Sequence, residues 1–374
     1  MNSKSNSRKF NFGSGPATLP VEVLEEVKEE ILDWRGLGLS VMEISHRSDD
    51  FQQITNEAES DFRDLLNIPT NYQVLFLHGG ASMQFPMIPL NFGNKDSKKS
   101  FSAGQSYSAD YINSGYWAKK AISEGSKFLK VNVAASSEEK NFTYFPSQES
   151  WEIEKNSCYI HLTPNETIGG IQIQKIEKEK LPIIADYSSS ILSGPIEVTT
   201  FGMIYGGAQK NIGPAGLGFS IIRKSLLERV PEDIPTMLNY RTLSKESSMY
   251  NTPPTFAWYV AGKVFKWLKK QGGLEKINEV NQRKAVKLYN FIDESNFYSN
   301  NIEKSSRSLM NVPFLLKDEV LNHKFIEESS KEGLLALKGH RSVGGMRASL
   351  YNALPEEGVD TLIGFMHYFE KQNL

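Results

Sequence analysis

The sequence predicts an α/β fold, with a large domain built on a mostly parallel sheet between helices and a smaller C-terminal domain. Three observations carry this. Segments of helical period alternate with strand-like runs along most of the chain. The strand-like runs are short and apolar on both faces, the pattern of parallel strands covered by helices. After Pro253-Pro254 the texture changes to long amphipathic segments.

Taken in order, Leu24, Val27, Ile31 and Trp34 recur at three- and four-residue steps and predict a helix over 20–34. Phe51, Ile54, Ala58, Phe62 and Leu65 predict the next, behind an N-cap at Ser48 or Asp49. Strand-like runs follow at 74–77, 158–162, 181–185, 203–205 and 219–222. Beyond the two prolines, a helix over 256–270 stops at Gly272-Gly273, which suits a C-cap. Another runs over 274–297, and strands are expected at 310–316, 334–337 and 346–350. A last helix carries Val359, Leu362, Ile363, Met366 and Phe369. The tail thus reads as an α/β or α+β domain of its own. The polar opening, 1–9, reads as a disordered leader.

The 374 residues hold 42 Lys+Arg against 44 Asp+Glu, a net charge of -2, and one cysteine. A balance so near neutral gives no general attraction to nucleic acid or anionic membrane. One cysteine excludes an internal disulfide and a CxxC metal knuckle, and no metal site is expected. No apolar run approaches a membrane span or forms a signal-peptide core. The expectation is a cytoplasmic protein.

Several places suggest chemistry. Lys210 lies in Gly206-Gly-Ala-Gln-Lys-Asn-Ile-Gly-Pro-Ala-Gly216, between two apolar runs. It is either a surface loop lysine or a partly buried amine of lowered pKa, the requirement for a Schiff base. Asp186 ends the run at 181–185, before Tyr187-Ser-Ser-Ser190. It either caps a turn or faces the crevice where parallel sheets collect ligands. A lysine amine and a carboxylate on a cationic ring nitrogen are the two groups a pyridoxal-phosphate site needs. His78-Gly-Gly-Ala-Ser82 is a glycine-rich turn before a possible helix, suited to a phosphate. Trp117 is either core or a ring platform. His46-Arg47 and His340-Arg341, with Arg347 nearby, are either solvated surface or anion clamps.

Longer stretches carry a resemblance. They are Asn11-Phe-Gly-Ser-Gly-Pro-Ala17, Val41-Met-Glu-Ile-Ser-His-Arg47, His78-Gly-Gly, Gly115-Tyr-Trp-Ala118, Pro164-Asn-Glu-Thr167, Gly207 to Gly216, Asn251-Thr-Pro-Pro-Thr-Phe-Ala257, Leu337-Lys-Gly-His-Arg341 and Gly344-Gly-Met-Arg-Ala-Ser349. Spread over nearly the whole chain, they are similar to the phosphoserine aminotransferase family, class-V enzymes of pyridoxal-phosphate fold type I. The resemblance implies an N-terminal arm (1–15), a large cofactor-binding domain (16–263) and a small C-terminal α/β domain (264–374).

It also implies roles. Lys210 is the Schiff-base lysine and proton shuttle, Asp186 holds the ring nitrogen, and Trp117 stacks on the ring. Thr167 lies near the ring hydroxyl. Ala81, Ser82 and Gln209 hold the phosphate, helped by Asn251 and Thr252 of a second subunit in a homodimer with shared sites. Arg347 takes the α-carboxylate, and Ser14 lies at the substrate end. His46, Arg47, His340 and Arg341 bind the distal anion, some of them across the dimer interface. The implied reaction exchanges an amino group between glutamate and 3-phosphohydroxypyruvate, for serine biosynthesis. Such enzymes often also serve the 4-phosphohydroxythreonine pair of pyridoxine biosynthesis.

The chain departs from the pattern in two places. Some members carry an arginine shortly after the His-Gly-Gly, where this chain reads Ala81-Ser82, which shifts anion binding toward His340 and Arg341. The segment 95–105 is longer than the usual connector and reads as a surface loop. Two rivals fare worse. A cysteine desulfurase needs a mobile-loop cysteine, and Cys158 reads as core. A nicotinamide dehydrogenase needs a glycine fingerprint that is missing.

Overall fold

The computed structural model describes residues 8–94 and 107–374. The segment 95–105 and most of the polar leader lie outside the described residues. A seven-stranded sheet forms the large layer. Its strands in chain order are β1 (Tyr72–His78), β2 (Ser108–Asn113), β3 (Lys130–Ser136), β4 (Ile160–Leu162), β5 (Ile183–Asp186), β6 (Phe201–Gly207) and β7 (Leu217–Arg223). Their spatial order is β1-β7-β6-β5-β4-β2-β3. Only β7 runs antiparallel to its neighbours, β1 and β6; the other pairings are parallel. The carboxyl ends of β1, β2, β4, β5 and β6 and the start of β7 therefore share one edge.

Helices α1 (Val21–Glu30), α2 (Asp49–Leu66), α3 (Gly80–Phe92), α4 (Tyr116–Gly125) and α5 (Thr255–Lys270) flank the sheet. Ser48 caps α2 by accepting the Phe51 N–H at 3.3 Å, and Asn67 ends it in the left-handed region. The apolar stripe of α2 meets α5 and the sheet through Phe62, whose ring stacks on Phe265 at 4.9 Å and tilts on Phe76 at 5.8 Å. Helix α1 is shorter than the period suggested: the chain breaks after Glu30, and Trp34 begins a short 3-10 turn containing Arg35 at φ 53°.

Helix α6 (Gly273–Glu294) leads into the second layer, an antiparallel sheet of β8 (Tyr298–Ser299), β9 (Asn311–Leu316) and β10 (Met346–Ser349), with helices α7 (Asn322–Lys331) and α8 (Glu356–Asn373). Leu274 and Ile277 of α6 join the large apolar cluster, whereas Ala285, Leu288 and Ile292 join the small one. Near the N-terminus, Phe10–Asn11 pairs in parallel with Leu334–Leu335, and Phe12 is buried in the small cluster. Ser14 is thereby carried to the seam between the layers. No helix among the described residues is long and apolar enough to cross a membrane.

Candidate active site

The shared sheet edge opens into a cavity of about 440 Å³. Among the residues lining it are Ala81, Ser82, Trp117, Thr167, Asp186, Gln209 and Lys210. The fold brings them together because each follows a strand end: Asp186 ends β5, Gln209 and Lys210 follow β6, Ala81 and Ser82 follow β1, and Trp117 follows β2.

Lys210 is 7% exposed, and its Nζ donates to Thr167 Oγ1 at 2.5 Å. Burial lowers its pKa to about 8, against the pull of the Asp186 and Glu166 carboxylates and with a push from Arg347. A neutral amine is thus within reach near physiological pH. Asp186 is buried too, and Ser188 donates to its Oδ1 from both backbone N–H (2.9 Å) and hydroxyl (2.5 Å). Burial raises the Asp186 pKa, while Ser188 and Lys210 oppose the rise. The Ser188 hydroxyl in turn accepts the Gly207 N–H at 3.0 Å, locking the ends of β5 and β6 together. Glycine at 206 has a packing reason: a Cβ there would lie 2.7 Å from the Phe219 ring and 2.8 Å from Ser188 Cα.

Helix α3 follows Gly79, at φ 79°, with no side-chain cap and no acidic residue in its first turn. By helix geometry its leading N–H groups, at Ala81 and Ser82, lack intrahelical acceptors, which suits an anion. Trp117 places its ring centroid 6.0 Å from Lys210 Nζ. Two buried polar atoms of cavity-lining residues, Trp117 Nε1 and Thr163 Oγ1, have no hydrogen-bond partner among the described residues. The cavity thus offers an amine, a carboxylate, an open helix N-terminus, an indole face and two unspent polar atoms. That set fits a phosphorylated aromatic aldehyde with a basic ring nitrogen.

Arg347, on β10, reaches the same seam from the small layer. It donates to Ser14 Oγ at 2.7 Å and to the Thr167 carbonyl at 3.4 Å. His340 lies one ring away: its imidazole is 5.3 Å from Tyr116, whose ring is 5.6 Å from Trp117. Its Nδ1 accepts the Ser342 N–H at 3.2 Å, leaving Nε2 as the donor of the neutral ring. Burial, together with Arg347, Arg341 and Lys120, lowers its pKa. Arg341 is exposed.

The remaining residues stand apart. His46, Arg47, Asn251 and Thr252 do not line this cavity; His46 is half-buried, and the other three are exposed. Cys158 is buried, with Sγ 3.3 Å from the Gly93 carbonyl. Sequence reasoning passed over Ser188, Thr163 and Glu166. Ser188 was discoverable from the Asp-x-Ser spacing of an Asx turn. Glu166 depends on distant partners.

Comparison with known proteins identifies the family. The model of the aminotransferase class-V family matches residues 9–362. The phosphoserine aminotransferase of Hahella chejuensis is 54% identical over 367 residues, covering 98% of this chain and 99% of the relative. That of Pseudomonas aeruginosa is 52% identical over 367 residues, with the same coverage. Among solved structures, phosphoserine aminotransferase from Bacillus circulans subsp. alkalophilus superposes with a TM-score of 0.94 at 43% identity, covering 99% of this chain and 100% of that one. The pyridoxal-phosphate-bound phosphoserine aminotransferase from Trichomonas vaginalis gives 0.89 at 40% identity, covering 96% and 100%. The chain belongs to the class-V aminotransferase family, in its phosphoserine aminotransferase branch, and is a pyridoxal-phosphate-dependent transaminase.

Proposed function

We propose that the chain transfers an amino group from L-glutamate to 3-phosphohydroxypyruvate, giving 2-oxoglutarate and O-phospho-L-serine. The observation that carries this is a cavity with Lys210 and Asp186 in its lining, Arg347 bonded to the lining residue Thr167, and His340 packed on Tyr116 next to Trp117, with Arg341 following it in the chain. Both substrates carry an α-carboxylate and a distal anion, so one pair of cationic sites serves both half-reactions. The activity named for the relatives supports the choice of substrate.

When bound, pyridoxal phosphate supplies the aldehyde that takes the amino group and a ring that delocalises charge. Asp186 would face the ring nitrogen, and the first turn of α3 with Gln209 would hold the phosphate. Trp117 would cover the ring. Lys210 would hold the aldehyde and move the substrate Cα proton; Thr167 holds the amine in reach. Arg347, fixed by Ser14, orients the α-carboxylate. The neutral His340 ring donates from Nε2 to the distal anion beside Arg341.

The unit that completes the site is a homodimer. His46 and Arg47 follow a stretch with exposed apolar side chains at Leu32, Leu37, Leu39 and Met42, a surface suited to a second copy. Across that interface His46 and Arg47 reach the partner's distal-anion site, and Asn251 and Thr252 its phosphate site.

An assay with glutamate as donor tests the reading. Phosphohydroxypyruvate is expected to turn over far better than hydroxypyruvate; equal turnover contradicts the distal-anion assignment. The phosphorylated keto acid of the 4-phosphohydroxythreonine pair is expected to be a second substrate, since it presents the same two anions.

A further inference from the structure

Glu166 lies behind the cavity wall and is fully buried. Its neighbours Asn165 and Thr167 line the cavity and Glu166 does not, as alternation along an extended segment requires. Its Oε2 accepts the Trp117 N–H at 3.0 Å and its Oε1 the Ala118 N–H at 2.8 Å. Both oxygens accept, the arrangement of a carboxylate at a helix N-terminus; burial raises its pKa to about 7, and the two N–H bonds and Lys210 oppose that rise in favour of the ionised form.

Helix α4 has no local cap: the residue before it is Gly115, which makes no side-chain bond. Glycine is required there, because a Cβ would lie 2.7 Å from Glu166 Cδ. The cap of α4 thus comes from a residue some fifty positions on in the chain, and it bonds the residue that carries the indole. The next residue, Thr167, holds the Lys210 amine.

We propose that Glu166 is a positioning residue for the reaction, fixing the Trp117 indole over the cofactor ring and placing a negative charge behind it, opposite Lys210. This rests on the assignment of Trp117 and Lys210 to pyridoxal phosphate. The charged and titratable groups around Glu166 and Lys210 are Asp186 on β5, Tyr205 on β6 and Arg347 on β10. Among them, Glu166 adds to Asp186 in favouring a cation at Lys210, and Arg347 opposes both.

The test compares full-length wild type, Glu166→Gln, Trp117→Phe and the double variant, with pyridoxal phosphate as probe. Cofactor dissociation is followed by fluorescence, and the visible band of the bound cofactor is titrated with pH. Glu166→Gln keeps the shape but loses the charge and one acceptor. It is expected to weaken cofactor binding roughly tenfold, the loss of a charge-assisted bond. The pH midpoint of the visible band is expected to fall, since a negative charge near a nitrogen cation is gone. In the double variant the binding losses are expected not to multiply, because Glu166 acts through Trp117. Glu166→Asp, which keeps the charge but retracts it, should weaken binding and leave the midpoint near that of wild type. This variant also decides the matter if Glu166→Gln does not fold. Unchanged binding and midpoint in Glu166→Gln, or losses that multiply fully, would overturn the proposal alone. Wild-type protein that takes up no pyridoxal phosphate would overturn the site assignment with it.

Discussion

Two sets of side chains, which we propose to face the same substrate, are built differently. Lys210, Asp186 and Thr167 are buried at strand ends and bonded to one another or to Ser188. His340 and Arg341 sit on a loop, where Ser342 is the hydrogen-bond partner of the His340 ring. The difference separates two tasks. Groups that move a proton need fixed distances and a low dielectric, which a sheet edge supplies. Groups that grip the anion of two different substrates need reach, and an exposed loop supplies that.

Variants can break this contrast. Lys210→Ala removes the only lysine amine in the cavity lining among the described residues, and transamination should fall by roughly 1,000-fold or more in a steady-state assay. Asp186→Asn leaves the Ser188 bonds but takes away the charge proposed to face the ring nitrogen. A loss of about 100- to 1,000-fold in kcat is expected, the size of breaking a buried ionic contact. Arg341→Gln acts on the loop side. The KM for phosphohydroxypyruvate should rise roughly 10- to 100-fold, with cofactor affinity unchanged. An equal loss of cofactor affinity in that variant would erase the distinction between floor and mouth. The smallest effect on activity belongs to Gly206→Ala, which crowds Phe219 and Ser188. Overpacking of that kind costs about 1–3 kcal/mol and should appear as a lower urea midpoint.

Much of the floor was legible in the sequence. Asp186 and Lys210 each follow a short apolar run, and strand ends of a parallel sheet are where ligands gather. The antiparallel β7 was not legible, because a run apolar on both faces says nothing about direction. Strands β2 and β3 were missed because polar residues interrupt them. Ser108, Asp110 and Asn113 are buried in β2, with Asp110 accepting from the Asn132 side chain at 2.6 Å. Helix α7 was missed because its apolar stripe is thin: of its ten residues only Phe325 and Ser329 are buried. Glu166 was invisible as a cap because capping rules look along the chain, and its target lies in another element. The mouth of the site was legible as residue types, His-Arg pairs suited to anions. Their placement was not, since His46-Arg47 and His340-Arg341 lie apart in sequence and the first pair stands off the cavity of its own chain.

The central claim is that burial at the sheet edge makes Lys210 the amine that meets the cofactor. Adding pyridoxal phosphate to cofactor-free protein, reducing with borohydride and mapping the adduct by mass spectrometry tests it directly. One adduct is expected, on the peptide containing Lys210. Its rate of formation should grow as pH rises through about 8, because only the neutral amine adds to an aldehyde and burial has lowered the Lys210 pKa to that range. An adduct on a different lysine, or a rate that climbs only near the ordinary lysine range of about 10, would contradict the account.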